Sequence, residues 1–129
     1  MTWIIICNPK FYDVERAFDT HEWVDWRQNR NIKPGDTVYV YCGAPVKELR
    51  YQCTVLESDM KTSSFNDADC YLSKDLKPAD RYMRLKLIKK LPIGKFKLED
   101  LKANGLKSVQ WATQASDELK DFLIANEEP

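Results

Sequence analysis

The sequence predicts an α+β fold: one strongly bent, mixed β-sheet closing towards an open barrel, with short flanking helices. Three observations carry this. Strand-like runs outnumber helical ones. The helical signals are short and sharply capped. The 129 residues contain no internal repeat and no linker, so 1–129 reads as a single domain.

Trp3 to Cys7 is a continuous apolar run with Ile4, Ile5 and Ile6, stopped by Asn8-Pro9. It reads as a central strand covered on both faces. Asp13 caps a short helix through Phe18, with Val14, Ala17 and Phe18 on one side. His21 to Lys33 is polar but carries Trp23 and Trp26, and reads as a short helix followed by a loop. Pro34-Gly35-Asp36 is a turn opening the strand Thr37 to Cys42, dense in β-branched and aromatic residues.

After Gly43-Ala44-Pro45, the stretch Leu49 to Ser58 alternates, with Tyr51, Cys53 and Val55 on one face. Lys61 to Lys77 has no clear period and reads as a long loop carrying Phe65 and Tyr71, a length usual for functional or mobile segments. Tyr82 to Leu91 alternates again, Met83, Leu85 and Leu87 inward and Arg84, Lys86 and Ile88 outward. Leu98 to Ala103 is a helix ended by Asn104-Gly105. Val109 to Trp111 reads as a short edge strand, and Ser116 caps a last helix with Leu119, Phe122 and Leu123 on its apolar side. The small helices are expected to plug the barrel's ends.

Composition narrows the function classes. Charged residues make up 31% and hydrophobic ones 43%, which describes a soluble globular domain. Twenty basic and twenty acidic residues cancel, which argues against binding nucleic acid by bulk charge but leaves room for a small pocket with local phosphate contacts. Cys7, Cys42, Cys53 and Cys70 form no C-x-x-C pair, and His21 has no metal-ligand spacing to any of them. The thiols read as reduced and the location as cytoplasmic. No signal peptide or membrane span is visible, and no metal or cofactor is expected.

The order of motifs suggests a family. A strand beginning Trp3-Ile4-Ile5-Ile6 ends in the kink Cys7-Asn8-Pro9. Trp26 precedes a Gly35-Asp36 turn that opens Val38-Tyr39-Val40-Tyr41, and Tyr51-Gln52-Cys53-Thr54-Val55 follows. Late in the chain come Leu85 to Pro92, Leu98 to Lys102, and Ser108-Val109-Gln110-Trp111 before the last helix. Over nearly its whole length the chain resembles the EVE domain, a PUA-like relative of YTH and ASCH domains. The resemblance implies a bent barrel whose mouth holds a flipped or modified base. It implies that a polar residue after the first strand and a Trp ahead of the Gly-Asp turn line the pocket, positions that match Asn8 and Trp26. Relatives of this kind serve as readers in modification-dependent restriction systems or read methylated adenine in RNA.

Read physically, a flipped base needs stacking surfaces and hydrogen bonds to its edge. Trp26 reads either as a stacking platform or as a lid on the barrel. Tyr39 and Tyr41 share one side of their strand and either stack on the base or pack in the core. Asn8, donor and acceptor at once, either reads a base edge or starts the turn before Pro9. Trp111 stacks on a neighbouring base or covers the last helix. Arg27, Arg30, Lys33, Lys47 and Arg50 are the phosphate candidates on two adjacent segments, with ordinary solvated charge as the alternative.

The expected partner is nucleic acid, DNA with a modified base or else RNA, with a nuclease supplied by a partner or a fused domain. Two other classes compete. A hydrolase would need a metal cluster, an activated nucleophile or paired carboxylates. Asp13, Asp19 and Asp25, six residues apart, do not share a helical face, and no local signature supports a Cys–His pair between His21 and Cys7 or Cys42. A non-enzymatic reader is therefore the expectation. A protein-interaction module would use the same aromatic surface for another chain.

Overall fold

The computed structural model describes residues 1–64, 66–72 and 79–126. Its elements are β1 (Thr2–Cys7), α1 (Val14–Thr20), β2 (Trp23–Arg27), β3 (Thr37–Cys42), β4 (Glu48–Met60), β5 (Tyr82–Lys90), α2 (Leu98–Ala103), β6 (Thr113–Gln114) and α3 (Asp117–Ala125). One mixed sheet runs in the order β2-β5-β4-β3-β1-β6. β1 and β3 are parallel, in register from Thr2 against Thr37 to Cys7 against Cys42. The other pairings are antiparallel.

The alternation of β1 and β3 decides the rest. Both strands are apolar on both faces, so the sheet must be covered twice. Trp3, Ile5, Cys7, Val38, Val40 and Cys42 join Tyr51, Cys53, Val55, Met83 and Leu85 in one core, filled from α1 by Val14, Ala17 and Phe18. Ile4, Tyr39, Tyr41 and Leu49 face a second core completed by Phe96, Leu101, Leu119 and Leu123. Thus α1 fills the hollow of the curved sheet, while α2 and α3 cover its other face instead of plugging an end.

Curvature comes from β4. Its ladder with β5 shifts register at Gln52/Cys53, Val55/Glu57 and Glu57/Met60, and such irregularities increase bend and twist. The bend carries β2 round towards β1, but the two do not pair and the barrel stays open. Arg30, beyond β2, reaches across this opening and donates from Nε to the Ala112 carbonyl, just ahead of β6, at 2.9 Å.

Capping follows the sequence. Asp13 Oδ1 accepts from the Arg16 N–H at 3.1 Å at the start of α1, and Ser116 Oγ accepts from the Leu119 N–H at 3.2 Å at the start of α3. The Gly35-Asp36 turn has a second purpose. The buried Asp36 carboxylate accepts from the Trp3 indole at 3.0 Å and the Lys33 N–H at 2.9 Å, pinning the turn to β1.

Two local expectations are corrected. Trp23–Arg27 is an edge strand, not a helix, because it pairs with β5 from Trp23 against Lys86 to Arg27 against Tyr82. Trp23 and Trp26 therefore point to opposite faces. The short strand near the C-terminus is Thr113–Gln114, and 109–111 forms a bend ahead of it.

Candidate functional site

Where the ends of β1 and β2 face each other unpaired, the sheet leaves a hollow of about 160 Å³. Ile6 and Cys7 line it from β1, Asn8 from the kink just after it, Trp26 and Arg27 from β2, and Phe11, Tyr12 and Tyr71 close it. The floor is apolar. Cys7 lies opposite Cys42 in register, and a hydrogen bond to that thiol together with burial keeps Cys7 protonated.

The walls have local causes. After Pro9 the chain turns sharply: the Phe11 and Tyr12 N–H groups donate to the Asn8 carbonyl at 3.0 and 3.2 Å. Asn8 Oδ1 accepts from the Lys10 N–H at 3.0 Å, which leaves the side-chain NH₂ for a ligand. This turn delivers Tyr12 into the gap. Residues 70–72 then run antiparallel to 11–13, Asp13 N–H donating to Cys70 O at 2.7 Å and Leu72 N–H to Phe11 O at 2.8 Å. Tyr71 is thereby set against Tyr12, ring centroids 4.8 Å apart, and Tyr12 meets Trp26 edge to face at 5.5 Å.

The Tyr12 hydroxyl donates to the buried Asp67 carboxylate. Burial raises the Tyr12 pKa, and Asp67 adds to it. Burial and the Asp67 charge likewise push Tyr71 up to about 12. Both rings are thus neutral phenols near pH 7. Phe11, 57% exposed, stands at the rim.

The far side of β2 anchors this wall. Arg84 donates from Nε to Asp25 Oδ1 at 2.9 Å, and its guanidinium lies 3.7 Å over the Trp23 ring. Ser64 donates to Asp25 Oδ2 from its N–H at 2.9 Å, and Asn66 Nδ2 donates to the Trp23 carbonyl at 3.0 Å. Burial pushes the Asp25 carboxyl up, but Arg84 and Ser64 outweigh it and hold the pKa below the ordinary value. The described parts of the long loop are therefore tied to β2 and α1. Phe65 lies outside the described residues.

The predicted site residues divide. Asn8, Trp26 and Arg27 come together in the hollow. Tyr39 and Tyr41 do not: they are buried in the second core, on the face away from Trp26, because the alternation that sends Val38 and Val40 to one side sends them to the other. Trp111 is 62% exposed in the bend beside Ala112, the residue that Arg30 grips. Arg30 is exposed beside Arg27, whereas Lys33 lies 4.0 Å from Asp59. Arg50 lines an adjoining hollow of about 150 Å³ with Pro9, Tyr12 and Leu72, its Nε buried without a hydrogen bond among the described residues. Lys47 belongs to a separate groove with Lys97 and Lys102.

Sequence reasoning missed Phe11, Tyr12 and Asp67. The adjacent aromatics straight after the Asn8-Pro9 kink were the available signal. It also missed Gln28, buried between β2 and Arg30. Its Nε2 donates to Arg30 O at 2.9 Å and its Oε1 accepts from the Asp59 N–H at 2.7 Å, fixing the path of the basic loop.

No protein-family model matches the sequence, and no curated protein does. Solved structures do match. The ASCH protein of Zymomonas mobilis superposes with a TM-score of 0.67 at 15% identity, covering 97% of this chain and 94% of that one. A protein of Agrobacterium tumefaciens gives 0.63 at 16%, and one of Rhodopseudomonas palustris 0.63 at 13%, each covering 96% of this chain and 90% of the other.

The fold is ASCH-like. At these identities the likeness concerns the path of the backbone, so the residues around Trp26 must argue function themselves. Among the described residues no helix is long and apolar enough to cross a membrane.

Proposed function

We propose that this ASCH-like domain binds nucleic acid by accepting one unstacked base in the hollow between β1 and β2. The observation that carries the reading is the convergence of Trp26, Tyr12 and Tyr71 with Asn8 and Arg27 on a space of about 160 Å³. That volume is small for a drug-like ligand and suits a single ring system. Aromatic walls supply sequence-tolerant stacking, on the order of 1–3 kcal/mol per base. The Asn8 amide reads a base edge, and the exposed Arg27 and Arg30 meet flanking phosphates. A chain with zero net charge gains little from bulk charge, which favours recognition of a base over the backbone alone.

The finer reading is recognition of a modified base. Ile6, Cys7 and the aromatic carbons offer an apolar surface to a base methyl group. In this reading the domain is a non-catalytic, EVE-like reader in the cytoplasm, recognising the base without a cofactor and working beside a nuclease in a modification-dependent system. The test is fluorescence titration with short oligonucleotides that differ in one base: cytosine, methylated and hydroxymethylated cytosine, adenine and methylated adenine, in DNA and RNA. Saturable binding weakened by Trp26→Ala is expected. A clear preference for one modified base supports the reader; equal binding of all oligonucleotides reduces it to a general RNA or DNA clamp; and no binding by any removes both.

A further inference from the structure

We propose that His21, Asp69 and Cys70 form a metal site of the zinc class where α1 meets the 3-10 turn Ala68–Cys70. Chain spacing hides it, because the histidine and the thiol lie on separate segments joined only by the fold. In the structure one ligand atom from each of the three residues falls within 4.8 Å of the other two. Asp69 Oδ1 stands between the others, 3.9 Å from His21 Nε2 and 3.8 Å from Cys70 Sγ. A tetrahedral zinc ion with ordinary bond lengths sets such donors roughly 3.3–3.6 Å apart. Closure on a metal therefore asks for a few tenths of an ångström at Asp69 and up to about 1 Å between His21 Nε2 and Cys70 Sγ.

Each donor is prepared for this. His21 ends α1, its N–H donating to Ala17 O at 3.0 Å, and its Nε2 is buried with no hydrogen-bond partner among the described residues. A buried imidazole nitrogen without a partner is costly unless something else satisfies it. Cys70 is fully buried and fixed by its own backbone, donating to Asp67 O at 2.8 Å and accepting from Asp13 N–H at 2.7 Å. Arg16 Nη2 holds Asp69 Oδ2 at 2.9 Å, which leaves Oδ1 for the ion and orients the carboxylate as outer partners of metal ligands do. One nitrogen, one sulfur and one oxygen favour zinc over magnesium or calcium, which prefer oxygen alone. The fourth position is left to water. On binding, the Cys70 thiol loses its proton to solvent and the thiolate bonds the metal.

The site stands on these side chains and is independent of any nucleic-acid reading. It sits one residue from Tyr71, so an ion there clamps the strip 69–71 to α1.

The test titrates the full chain with Co(II) and then displaces it with Zn(II) in the presence of a chromophoric chelator. One equivalent of Co(II) should give tetrahedral visible bands and a near-ultraviolet thiolate charge-transfer band. That band should vanish in Cys70→Ser. Zinc affinity should fall at least tenfold in His21→Gln and in Asp69→Asn; the second changes an exposed side chain and keeps the fold. A missing cobalt spectrum, a thiolate band that survives in Cys70→Ser, or zinc affinity unchanged in both His21→Gln and Asp69→Asn would overturn the site.

Discussion

Tyr12 and Trp26 meet edge to face, their ring centroids 5.5 Å apart and their planes at 83°. The two rings come from separate segments. Trp26 comes from an edge strand that pairs with β5, and Tyr12 from the turn that follows Pro9. Their contact bridges the one gap the sheet leaves unpaired, and one wall of the hollow is built on it.

If a base stacks in this hollow, Trp26→Ala should weaken oligonucleotide binding by roughly 1–3 kcal/mol, about 5- to 150-fold. Tyr12→Phe keeps the ring and removes the hydroxyl bond to Asp67. It should bind nearly as well as the parent while losing about 1–3 kcal/mol of stability, since it leaves a buried carboxylate short of a donor. Binding isotherms beside urea unfolding curves separate the two effects.

The phosphate candidates can be sorted by salt. Arg27 lines the hollow, whereas Lys47 lies in a separate groove with Lys97 and Lys102. Arg27→Gln should lower affinity for every sequence alike and flatten the log K against log salt plot by about 0.7 for a single strand. Lys47→Gln should leave the slope where it was. Equal slopes for parent and Arg27→Gln would place the phosphates elsewhere.

How much of this was legible beforehand depends on the range of the forces involved. The two-sided burial of β1 could be read from Ile4, Ile5 and Ile6, because a run with no polar residue has no solvent face. The caps at Asp13 and Ser116 were legible because they act over three residues. Trp23 and Trp26 were misread as helical because five residues between polar loops carry no period of their own; β5 imposes it. Tyr39 and Tyr41 illustrate the converse. Their shared parity was correct, but which face of a doubly buried strand meets the hollow is decided by where α2 and α3 pack. Tyr71 reaches Tyr12, and Cys70 reaches His21, only through tertiary pairing.

Gly105 follows α2 at φ +106°, and a Cβ added there would come within 2.9 Å of Ser116 Oγ, the oxygen that caps α3. Gly105→Ala should therefore cost on the order of 1–3 kcal/mol, from backbone strain and a disturbed cap together. Gly43 offers the control. Its added Cβ would meet only Cys7 O, at an ordinary 3.5 Å. Urea midpoints for the two alanine variants should differ clearly, with Gly43→Ala nearer the parent.

Acid should find the Asp25–Arg84 pair early. The Asp25 side chain is fully buried and Arg84 is 25% exposed, so Asp25→Ala strands a guanidinium that can partly relax into water. A loss of roughly 1.5–3 kcal/mol at neutral pH is expected, below that of a fully enclosed pair. The folded pKa of Asp25 is held below the ordinary value by Arg84 and Ser64, acting against burial. As pH falls through about 3.9, the unfolded chain takes up the proton first. The pair's contribution is thus complete above that value and disappears as pH drops through the lower folded pKa. Asp36, held down by Lys33 and Trp3 against its own burial, adds to the same trend. Urea unfolding from pH 7 to pH 2 should therefore show parent and Asp25→Ala curves converging at the acid end. A gap that stays constant over this range would mean that the carboxylate's charge contributes nothing and that the variant suffers from lost packing alone.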